Sequence, residues 1–367
     1  MSVKVIISGG GTGGHIFPAI SIADALKKTL PECEILFVGA SGRMEMERVP
    51  AAGYKIEGLP VAGFQRRITW KNITFFFKLA SSMMKARRIL RRFKPDVAVG
   101  VGGYASGPVL RAAASMGVAT LIQEQNSFPG VTNRILSRKA DSICVAYPGM
   151  ERFFPAEKIS FTGNPVRRDL TNNVDLKEAN KEFGLNSEWP TILVIGGSLG
   201  AGSINKGISG NIEELRGKDV QVLWQTGKFY FDDINEMLKP LKLDNVRAMP
   251  FISRMDMAYS VADVVVSRAG AGTISELALL GKASILVPSP NVSEDHQTKN
   301  AMALVDKSAA ILVSDADAPH KLLAEALNLL SDGDTRESLS RNIRSLAKPN
   351  ADMDIAARVL KLAERDK

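Results

Sequence analysis

The stretch that decides the fold is Ser8-Gly9-Gly10-Gly11-Thr12-Gly13-Gly14-His15-Ile16-Phe17-Pro18, near the start of the 367-residue chain. It follows an apolar run at residues 3–7 and precedes residues 19–30, where apolar side chains recur at helical spacing. This order predicts a strand, a glycine loop and the start of a helix. Because glycine lacks a Cβ, such a loop turns sharply and lets a ligand approach its backbone N–H groups. The helix that follows aims its unpaired N–H groups at the same place.

The second half of the chain repeats this unit. The apolar run Thr191–Ile195 leads into Gly196-Gly197-Ser198-Leu199-Gly200-Ala201-Gly202-Ser203, and a helical segment follows. Strand segments alternate with helical segments throughout, which is typical of parallel sheets covered on both faces. We therefore expect an α/β protein of two doubly wound domains. Ligands of such sheets bind at the carboxyl ends of the strands, where the glycine loops lie, so two facing domains would leave a cleft lined by these loops.

The predicted strands are short apolar runs bounded by glycine, proline or polar residues. The strands of the first half are residues 3–7, 35–38, 54–59, 96–100, 119–123 and 142–146, and those of the second half are residues 191–195, 220–225, 246–249, 262–267, 283–287 and 311–313. We interpret residues 142–146 as the last strand of the first half and residues 161–167 as the passage into the second.

Several classes of protein are disfavoured by composition. The first residues lack the charged region, apolar region and cleavage site of a signal peptide. No apolar run reaches the length of about 18 residues expected of a membrane span. The two cysteines, Cys33 and Cys144, lie at or within strand-like runs and are expected to be reduced core residues. These features predict a cytoplasmic protein.

The formal charge of +8 is concentrated in one segment. Residues 61–94 carry ten basic and no acidic side chains, so the rest of the chain is close to neutral. This segment has two interpretations: a solvated helix face, or a cationic and aromatic face that docks on an anionic membrane. Nucleic acid is a weaker candidate because the chain carries no recognised nucleic-acid-binding motif. The residues predicted for a membrane face are Trp70, Phe75, Phe76, Arg87, Arg88, Arg91 and Arg92.

The opening glycine loop is a weak signal by itself. It is neither the spaced dinucleotide fingerprint nor the phosphate loop that ends in Gly-Lys-Ser/Thr. A tight strand-to-helix turn and a site for an anion or a sugar both remain open. His15, one of only three histidines, favours the second, because a histidine at a helix N-terminus is well placed for proton transfer. Catalytic and structural roles of His15 both remain open at this point.

Two further motifs have a structural and a functional interpretation. Thr273-Ile274-Ser275-Glu276 fits a capping box, but the Gly270-Ala271-Gly272 run before it leaves a helix N-terminus open to a diphosphate. Glu276 would then accept hydrogen bonds from ribose hydroxyls. Glu294-Asp295-His296-Gln297 is a poor metal site because no second cluster supplies further ligands. Gln297 and Asn300 are better candidates for contacts to a sugar.

Taken in order, these motifs resemble one family, MurG, the UDP-N-acetylglucosamine transferases of peptidoglycan synthesis. The matching segments run over nearly the whole chain: Gly9-Gly10-Gly11-Thr12-Gly13-Gly14-His15, Gly102-Gly103-Tyr104-Ala105-Ser106-Gly107-Pro108, Glu124-Gln125-Asn126, Gly163-Asn164-Pro165-Val166-Arg167, Gly196-Gly197-Ser198-Leu199-Gly200, Arg268-Ala269-Gly270-Ala271-Gly272-Thr273-Ile274-Ser275-Glu276 and Asp295-His296-Gln297-Thr298-Lys299-Asn300-Ala301.

The resemblance implies the GT-B glycosyltransferase fold, two facing Rossmann-like domains with a cleft between them. Residues 1–165 would form an acceptor- and membrane-binding domain, residues 166–349 a UDP-GlcNAc-binding domain, and the last helix, residues 350–367, would pack back on the first domain. The implied reaction transfers GlcNAc from UDP-GlcNAc to the 4-hydroxyl of MurNAc in lipid I, with inversion, and gives lipid II. It implies no cofactor and no metal. The implied location is the cytoplasmic face of the inner membrane, with other cell-wall synthesis proteins as further candidate partners.

The resemblance also implies roles for single residues. The backbone of Ile252 would contact the uracil, and Glu276 would bind the ribose. The diphosphate would be held by Ser198 and by the start of a helix, at Ala271, Gly272, Thr273, Ile274 and Ser275. Arg167 would lie near the diphosphate. Asn126 and Gln297 would contact the GlcNAc, and Thr12, Gly13 and Gly14 would approach from the first domain. His15 would be the base, with Glu124 and Tyr104 as second choices or acceptor contacts.

Two other function classes are alternatives. Another enzyme of the same fold would move a different sugar to a different lipid, and residues 102–108 and 124–126 would distinguish its acceptor. The second alternative is a regulator that binds a nucleotide sugar without turnover. It is disfavoured because His15 lies in the glycine loop, where a residue for proton transfer would be needed only by an enzyme. A dinucleotide dehydrogenase is disfavoured because the chain lacks the fingerprint and its ribose-binding acid.

Overall fold

The computed structural model describes residues 2–61, 71–197 and 199–364, without the side chains of residues 71–76, 168, 169 and 293. The chain divides into two compact units, which we call the first unit and the second unit. The first unit is Met1–Arg167 with Lys348–Lys367, and the second is Arg168–Ala347.

The first unit is built on a seven-stranded parallel sheet in the order β3-β2-β1-β4-β5-β6-β7. The strands are β1 Lys4–Gly9, β2 Glu34–Ala40, β3 Lys55–Leu59, β4 Val97–Gly102, β5 Ala119–Glu124, β6 Ser142–Val145 and β7 Ile159–Phe161. The helices between them are α1 Gly13–Thr29, α2 Glu45–Ala51, α3 Lys71–Phe93, α4 Ser106–Ser115 and α5 Val131–Leu136.

The second unit repeats the architecture with a six-stranded parallel sheet in the order β10-β9-β8-β11-β12-β13. Its strands are β8 Thr191–Ile195, β9 Gln221–Gln225, β10 Val246–Met249, β11 Val264–Ser267, β12 Ser284–Leu286 and β13 Ile311–Leu312. Its helices are α6 Leu176–Phe183, α7 Gly202–Ser209, α8 Lys228–Leu238, α9 Met255–Val261, α10 Ala271–Leu280, α11 His296–Val305, α12 Ala318–Ser331 and α13 Gly333–Ser345.

The last helix, α14 Ala351–Ala363, packs against α1 of the first unit. Its apolar face, with Ile355, Ala356 and Val359 fully buried, joins a core that also contains Val5 and Ile7 of β1. Ile6 points to the other face of the sheet and joins a separate core with α3 and α4. The sheet is therefore covered on both sides, which explains why its strands are continuous apolar runs.

Both sheets reverse their strand order beside a strand that leads into a glycine loop. In the first unit the reversal lies between β1 and β4, and in the second between β8 and β11. Ligands of doubly wound sheets bind at this switch point, beyond the carboxyl ends of the strands. The prediction of two doubly wound α/β domains is therefore confirmed, and the loops singled out in the sequence lie at the switch points.

The structure corrects the sequence interpretation in two places. Residues 159–161 form an additional edge strand, β7, so the interpretation of residues 142–146 as the last strand of the first half is wrong. Three residues with a central serine are too short to show strand periodicity. Helix α10 begins at Ala271, whereas the apolar spacing of residues 274–280 predicts a helix that begins at Ile274. Within the described residues, no helix combines the length and the apolar character needed to cross a membrane.

Candidate active site

The glycine loop of the first unit is shorter than its sequence indicates. Helix α1 begins at Gly13, so Gly13, Gly14 and His15 form its first turn and Thr12 is the N-cap. The Thr12 side chain makes no capping bond, but its carbonyl accepts from the N–H groups of His15 at 3.1 Å and Ile16 at 3.2 Å. His15 is therefore held on a helix and not in a free loop.

The imidazole of His15 is fixed by the backbone of the loop. Its Nδ1 lies 3.1 Å from the carbonyl oxygen of Gly10 and 3.4 Å from Oγ1 of Thr12. A carbonyl oxygen only accepts hydrogen bonds, so Nδ1 carries the proton and the lone pair of the neutral ring is on Nε2. A Cβ on Gly102 would lie 2.8 Å from both Cδ2 and Nε2 of His15, and Gly102 also has a φ of +99°. Only glycine fits this position.

The second glycine loop of the first unit interlocks with the first. A Cβ on Gly103 would overlap the carbonyl oxygen of Gly10. The Ser106 hydroxyl donates to the carbonyl of Ser8 at 2.8 Å and accepts from the N–H of Gly102 at 3.1 Å, which ties the ends of β1 and β4 together. Tyr104 lies in this loop with 56 % of its surface exposed.

Glu45 lies beneath the first loop and was missed by the sequence analysis. It is 0 % exposed, and its Oε2 accepts from the N–H of Gly11 at 2.9 Å. The N–H of Gly11 therefore points into the protein, contrary to the expectation that the loop presents its N–H groups to a ligand. No spacing or motif marks Glu45, because its partners are the backbone N–H groups of Ala40 and Gly11, which can belong to residues of any type.

Glu124 is buried at the end of β5 and organises the loop that follows. It is 2 % exposed, and its carboxylate accepts from Asn126 N at 3.0 Å, Asn126 Nδ2 at 3.2 Å, Gly130 N at 3.2 Å and Asn133 Nδ2 at 2.8 Å. Burial raises the pKa of Glu124, and these hydrogen bonds oppose the rise. The structure thus joins two predicted site residues, Glu124 and Asn126, in one hydrogen-bonded loop.

Arg167 is the last residue of the first unit. Its guanidinium lies 5.9 Å from the ring centroid of Phe17, near the start of α1. Phe17 is itself 43 % exposed. This contact places the Arg167 charge beside the helix turn that carries His15.

In the second unit, the first turn of α10 contains the residues predicted to hold a diphosphate. The N-cap is Gly270, and the first intrahelical bond runs from the N–H of Ile274 to the Gly270 carbonyl at 2.9 Å. The N–H groups of Ala271, Gly272 and Thr273 are therefore the first-turn donors of the helix. The interpretation of residues 273–276 as a capping box is wrong, because Thr273 lies inside the helix and the N-cap is Gly270.

The other residues of this helix start have defined partners. Ser275 Oγ donates to the carbonyl of Ala271 at 2.9 Å, and the Ile274 side chain is buried. Oε2 of Glu276 accepts from the hydroxyl of Tyr259 at 2.9 Å. Glu276 therefore stands one turn beyond the first-turn donors with its carboxylate oriented by a buried tyrosine.

Two loops of the second unit are joined by Gln225, at the end of β9. Its Nε2 donates to the carbonyl of Gly197 at 3.0 Å, and its Oε1 accepts from the N–H of Ile252 at 2.9 Å. Ile252 is 1 % exposed, so its backbone position is fixed by this bond. Ser198, predicted to contact the diphosphate, lies outside the described residues.

Arg268, the residue after β11, links several elements of the second unit. Arg268 donates to Oδ1 of Asp315 at 2.5 Å, to the hydroxyl of Ser203 at 3.0 Å, and to the carbonyls of Val287 and Pro288 at 3.1 and 3.2 Å. These contacts hold the start of α7 and the ends of β11 and β12 together. Sequence reasoning included Arg268 in a motif but gave it no role.

Gln297 is the second residue of α11, and its Oε1 accepts from the N–H of Ser289 at 2.9 Å. The adjacent Glu294 and Asp295 have φ values of +58° and +52°. Among the described residues, no group of three or more His, Cys, Asp or Glu side chains is arranged to hold a metal ion.

The predicted membrane face lies only partly within the described residues. Trp70 lies outside them, and the side chains of Phe75 and Phe76 are not described. Arg87, Arg88, Arg91 and Arg92 are exposed on α3, whose opposite side buries Ala86, Ile89 and Leu90. Arg92 forms an ion pair with Glu57.

Comparison with known proteins covers most of the chain. Residues 5–145 match the glycosyltransferase family 28 N-terminal domain, and residues 191–358 match the glycosyltransferase family 28 C-terminal domain. A Parabacteroides distasonis protein is 57 % identical over 363 residues, with 99 % of both chains covered. Its name is UDP-N-acetylglucosamine--N-acetylmuramyl-(pentapeptide) pyrophosphoryl-undecaprenol N-acetylglucosamine transferase. A Cytophaga hutchinsonii protein of the same name is 54 % identical over 365 residues, covering 99 % of this chain and 98 % of its own.

Solved structures agree with these relatives. The crystal structure of Acinetobacter baumannii MurG superposes with a TM-score of 0.79 at 29 % identity, covering 98 % of this chain and 99 % of that one. A kitacinnamycin glycotransferase superposes with a TM-score of 0.75 at 15 % identity, covering 99 % of this chain and 100 % of that one. The second similarity is one of fold, and both structures fit the two-domain GT-B architecture.

Proposed function

Because the chain belongs to glycosyltransferase family 28, we propose that it transfers N-acetylglucosamine from UDP-GlcNAc to the MurNAc 4-hydroxyl of undecaprenyl-pyrophosphoryl-MurNAc-pentapeptide, lipid I. The product is lipid II, the disaccharide lipid of peptidoglycan synthesis. Relatives at 53–57 % identity over nearly their whole length carry the same transferase name, which disfavours a different lipid acceptor or a regulator without turnover.

The structural observation that best supports this function is the start of α10. Its first-turn N–H groups, from Ala271, Gly272 and Thr273, lie at the switch point of the second sheet, one turn before Glu276. Such a helix end stabilises the negative charge that grows on a nucleoside diphosphate as its bond to the sugar breaks. Glu276 accepts hydrogen bonds from the ribose hydroxyls, and the backbone at Ile252 meets the uracil.

In the first unit, His15 is the proposed base. The lone pair on Nε2 takes the proton of the acceptor hydroxyl as its oxygen attacks the anomeric carbon. The electron pair of the breaking bond leaves with UDP, so a single displacement inverts the anomeric configuration. Glu124 is the less suitable base, because its oxygens already accept four hydrogen bonds from the following loop and helix α5. It positions Asn126 for the sugar instead.

The remaining predicted residues have supporting roles. Gln297 and Asn126 contact the GlcNAc, Arg167 assists near the diphosphate, and exposed Tyr104 meets the acceptor. Thr12, Gly13 and Gly14 supply backbone close to the sugar.

We also propose that α3 of the first unit docks on the anionic inner-leaflet surface that carries the acceptor. Arg87, Arg88 and Arg91 are exposed, and the apolar Phe77 and Met84 on the same helix are 74 % and 63 % exposed. A helix with buried apolar residues on one side and cations with exposed apolar side chains on the other suits an interfacial position.

The test of the activity is to incubate the pure protein with labelled UDP-GlcNAc and a short-chain lipid I analogue. The expected result is labelled disaccharide lipid formed in a one-to-one ratio with UDP. UDP release without disaccharide lipid would contradict the proposed function. UDP-GlcNAc binding without UDP release would favour the regulator.

A further inference from the structure

A fully buried carboxylate lies below the first glycine loop and has no role in the chemistry described so far. Glu45 is the first residue of α2 and is 0 % exposed. Its Oε1 accepts from the N–H of Ala40, at the end of β2, at 2.9 Å, and its Oε2 accepts from the N–H of Gly11 at 2.9 Å. The side chain therefore bridges the end of one strand and the loop after another.

The surrounding backbone is shaped to admit this side chain. A Cβ on Gly10 would overlap Oε1 of Glu45, and a Cβ on Gly39 would lie 2.5 Å from its Cγ. Both positions therefore need glycine because Glu45 fills the space beside them. Gly10 and Gly39 are therefore explained by the space that the Glu45 side chain occupies and not by a bound ligand.

We propose that Glu45 is a positioning residue for His15. The carboxylate fixes the N–H of Gly11 and therefore the planar Gly10–Gly11 peptide group, whose oxygen is the Gly10 carbonyl. That carbonyl accepts from Nδ1 of His15 at 3.1 Å and so selects the tautomer with the lone pair on Nε2. The catalytic part of this inference rests on the proposed function, because it takes His15 as the base.

The role requires two acceptor oxygens. In Glu45→Gln, one oxygen becomes an NH₂ group, which would face a backbone N–H of either Gly11 or Ala40. A donor facing a donor in a buried site loses the hydrogen bond and leaves an N–H without a partner. The Gly10–Gly11 peptide is then free to turn, and the Gly10 carbonyl no longer selects one tautomer.

The matched control is Asp141→Ala, in the same unit. Oδ2 of Asp141 accepts from the backbone N–H of Thr120 at 2.8 Å and from its hydroxyl at 3.1 Å. These bonds lie at the amino ends of β5 and β6, whereas the glycine loops lie at the carboxyl ends of β1 and β4. The control therefore loses carboxylate hydrogen bonds to the sheet without touching the loop of His15.

The experiment compares wild type, Glu45→Gln and Asp141→Ala by steady-state kinetics, UDP binding, thermal unfolding and ¹⁵N NMR of the histidine rings. The chain has only three histidines, so the His15 ring signals are assigned by comparison with His15→Gln. In Glu45→Gln we expect kcat to fall roughly 10- to 100-fold, as for a misplaced catalytic group. The Kd for UDP should stay within about twofold, and His15 should change from the Nδ1–H tautomer to a mixture. Asp141→Ala should lower the unfolding temperature with the tautomer and kcat unchanged.

The inference is overturned if Glu45→Gln folds and keeps the wild-type tautomer, or if its kcat falls no further than that of Asp141→Ala. If Glu45→Gln does not fold, Glu45→Asp replaces it, since it keeps the charge but is one methylene too short to bridge Gly11 and Ala40. The tautomer is measured without substrate. A wild-type protein that transfers no GlcNAc thus defeats the proposed function, whereas an unchanged tautomer defeats only the role of Glu45.

Discussion

The hydroxyl of Tyr259 donates to Oε2 of Glu276 at 2.9 Å, and Tyr259 is only 1 % exposed. Tyr259 lies on α9 and Glu276 on α10, so the bond joins two helices of the second unit. A rigid, buried donor of this kind holds the carboxylate in one orientation before the nucleotide arrives. Less conformational freedom then has to be lost on binding.

Replacing Tyr259 with phenylalanine should weaken UDP binding about fivefold. The reason is that the Glu276 side chain, no longer held by this bond, must be ordered when UDP binds, which costs about 1 kcal/mol. Isothermal titration with UDP measures the change. The matched control is Tyr54→Phe in the first unit, which removes the bond from the Tyr54 hydroxyl to Oδ1 of Asp24 at 2.5 Å. Equal UDP affinity in wild type and Tyr259→Phe would show that Glu276 needs no such support.

Gln225→Glu should reduce affinity for UDP-GlcNAc more than tenfold. The new carboxylate still accepts from the N–H of Ile252 but faces the carbonyl oxygen of Gly197, to which Gln225 Nε2 now donates. Repulsion between two acceptors in a buried site would displace either the glycine loop or the Ile252 backbone. Fluorescence competition with a UDP probe gives the affinity.

The control for this change lies at the other end of the same strand. Gln221 is 2 % exposed and bonds to Asn186, Trp189 and Thr191. Gln221→Glu should therefore lower the unfolding temperature with little effect on UDP-GlcNAc affinity. If both variants lose affinity equally, the effect of Gln225→Glu is on general stability and not on the loops.

The sequence predicted the sheets better than it predicted the support beneath the loops. Buried parallel strands are continuous apolar runs, so residues such as Val5 and Val264 mark them directly. The switch-point loops were found because glycine is needed where the backbone turns sharply. Glu45, Gln225 and Tyr259 escaped notice because their partners lie between 5 and 34 residues away and follow no regular spacing. A polar side chain in a sequence does not show which backbone group it will meet.

Helix starts show a similar limit. The apolar pattern placed the α10 helix from residue 274, because Ala271, Gly272 and Thr273 carry no apolar periodicity. The function proposed for them depends on small side chains at a helix end, and that property makes their sequence resemble a loop. The β7 strand was missed because a strand of three residues is too short to show an alternating apolar pattern.

His15→Gln should lower kcat by roughly 10²- to 10⁴-fold, the usual contribution of a general base. The Kd for UDP should not change, because His15 is not among the residues proposed to contact the nucleotide. Glu124→Gln should behave differently: it loses acceptors for Asn126, Gly130 and Asn133, so it should lower the unfolding temperature and raise KM more than it lowers kcat.

Steady-state kinetics with the lipid I analogue separates the two outcomes, and His320→Gln in α12 serves as a neutral histidine control. A loss of kcat in Glu124→Gln as large as that in His15→Gln, with normal folding, would reassign the base to Glu124.

Arg87→Gln, Arg88→Gln and Arg91→Gln combined should weaken binding to anionic vesicles by roughly 10²-fold, since each basic residue near such a surface contributes about 1 kcal/mol. Arg92 is left unchanged because its ion pair with Glu57 gives it a structural partner. Flotation with vesicles of mixed anionic and zwitterionic lipid, at low and high salt, measures the binding.

The control removes the same charge from exposed positions elsewhere in the first unit, with the substitutions Lys27→Gln, Lys28→Gln and Lys55→Gln. A membrane face on α3 predicts strong, salt-sensitive loss in the arginine variant alone. If both variants lose vesicle binding equally, the binding depends only on the net charge of the protein. If neither variant loses binding, the arginines are solvated and do not contact the membrane.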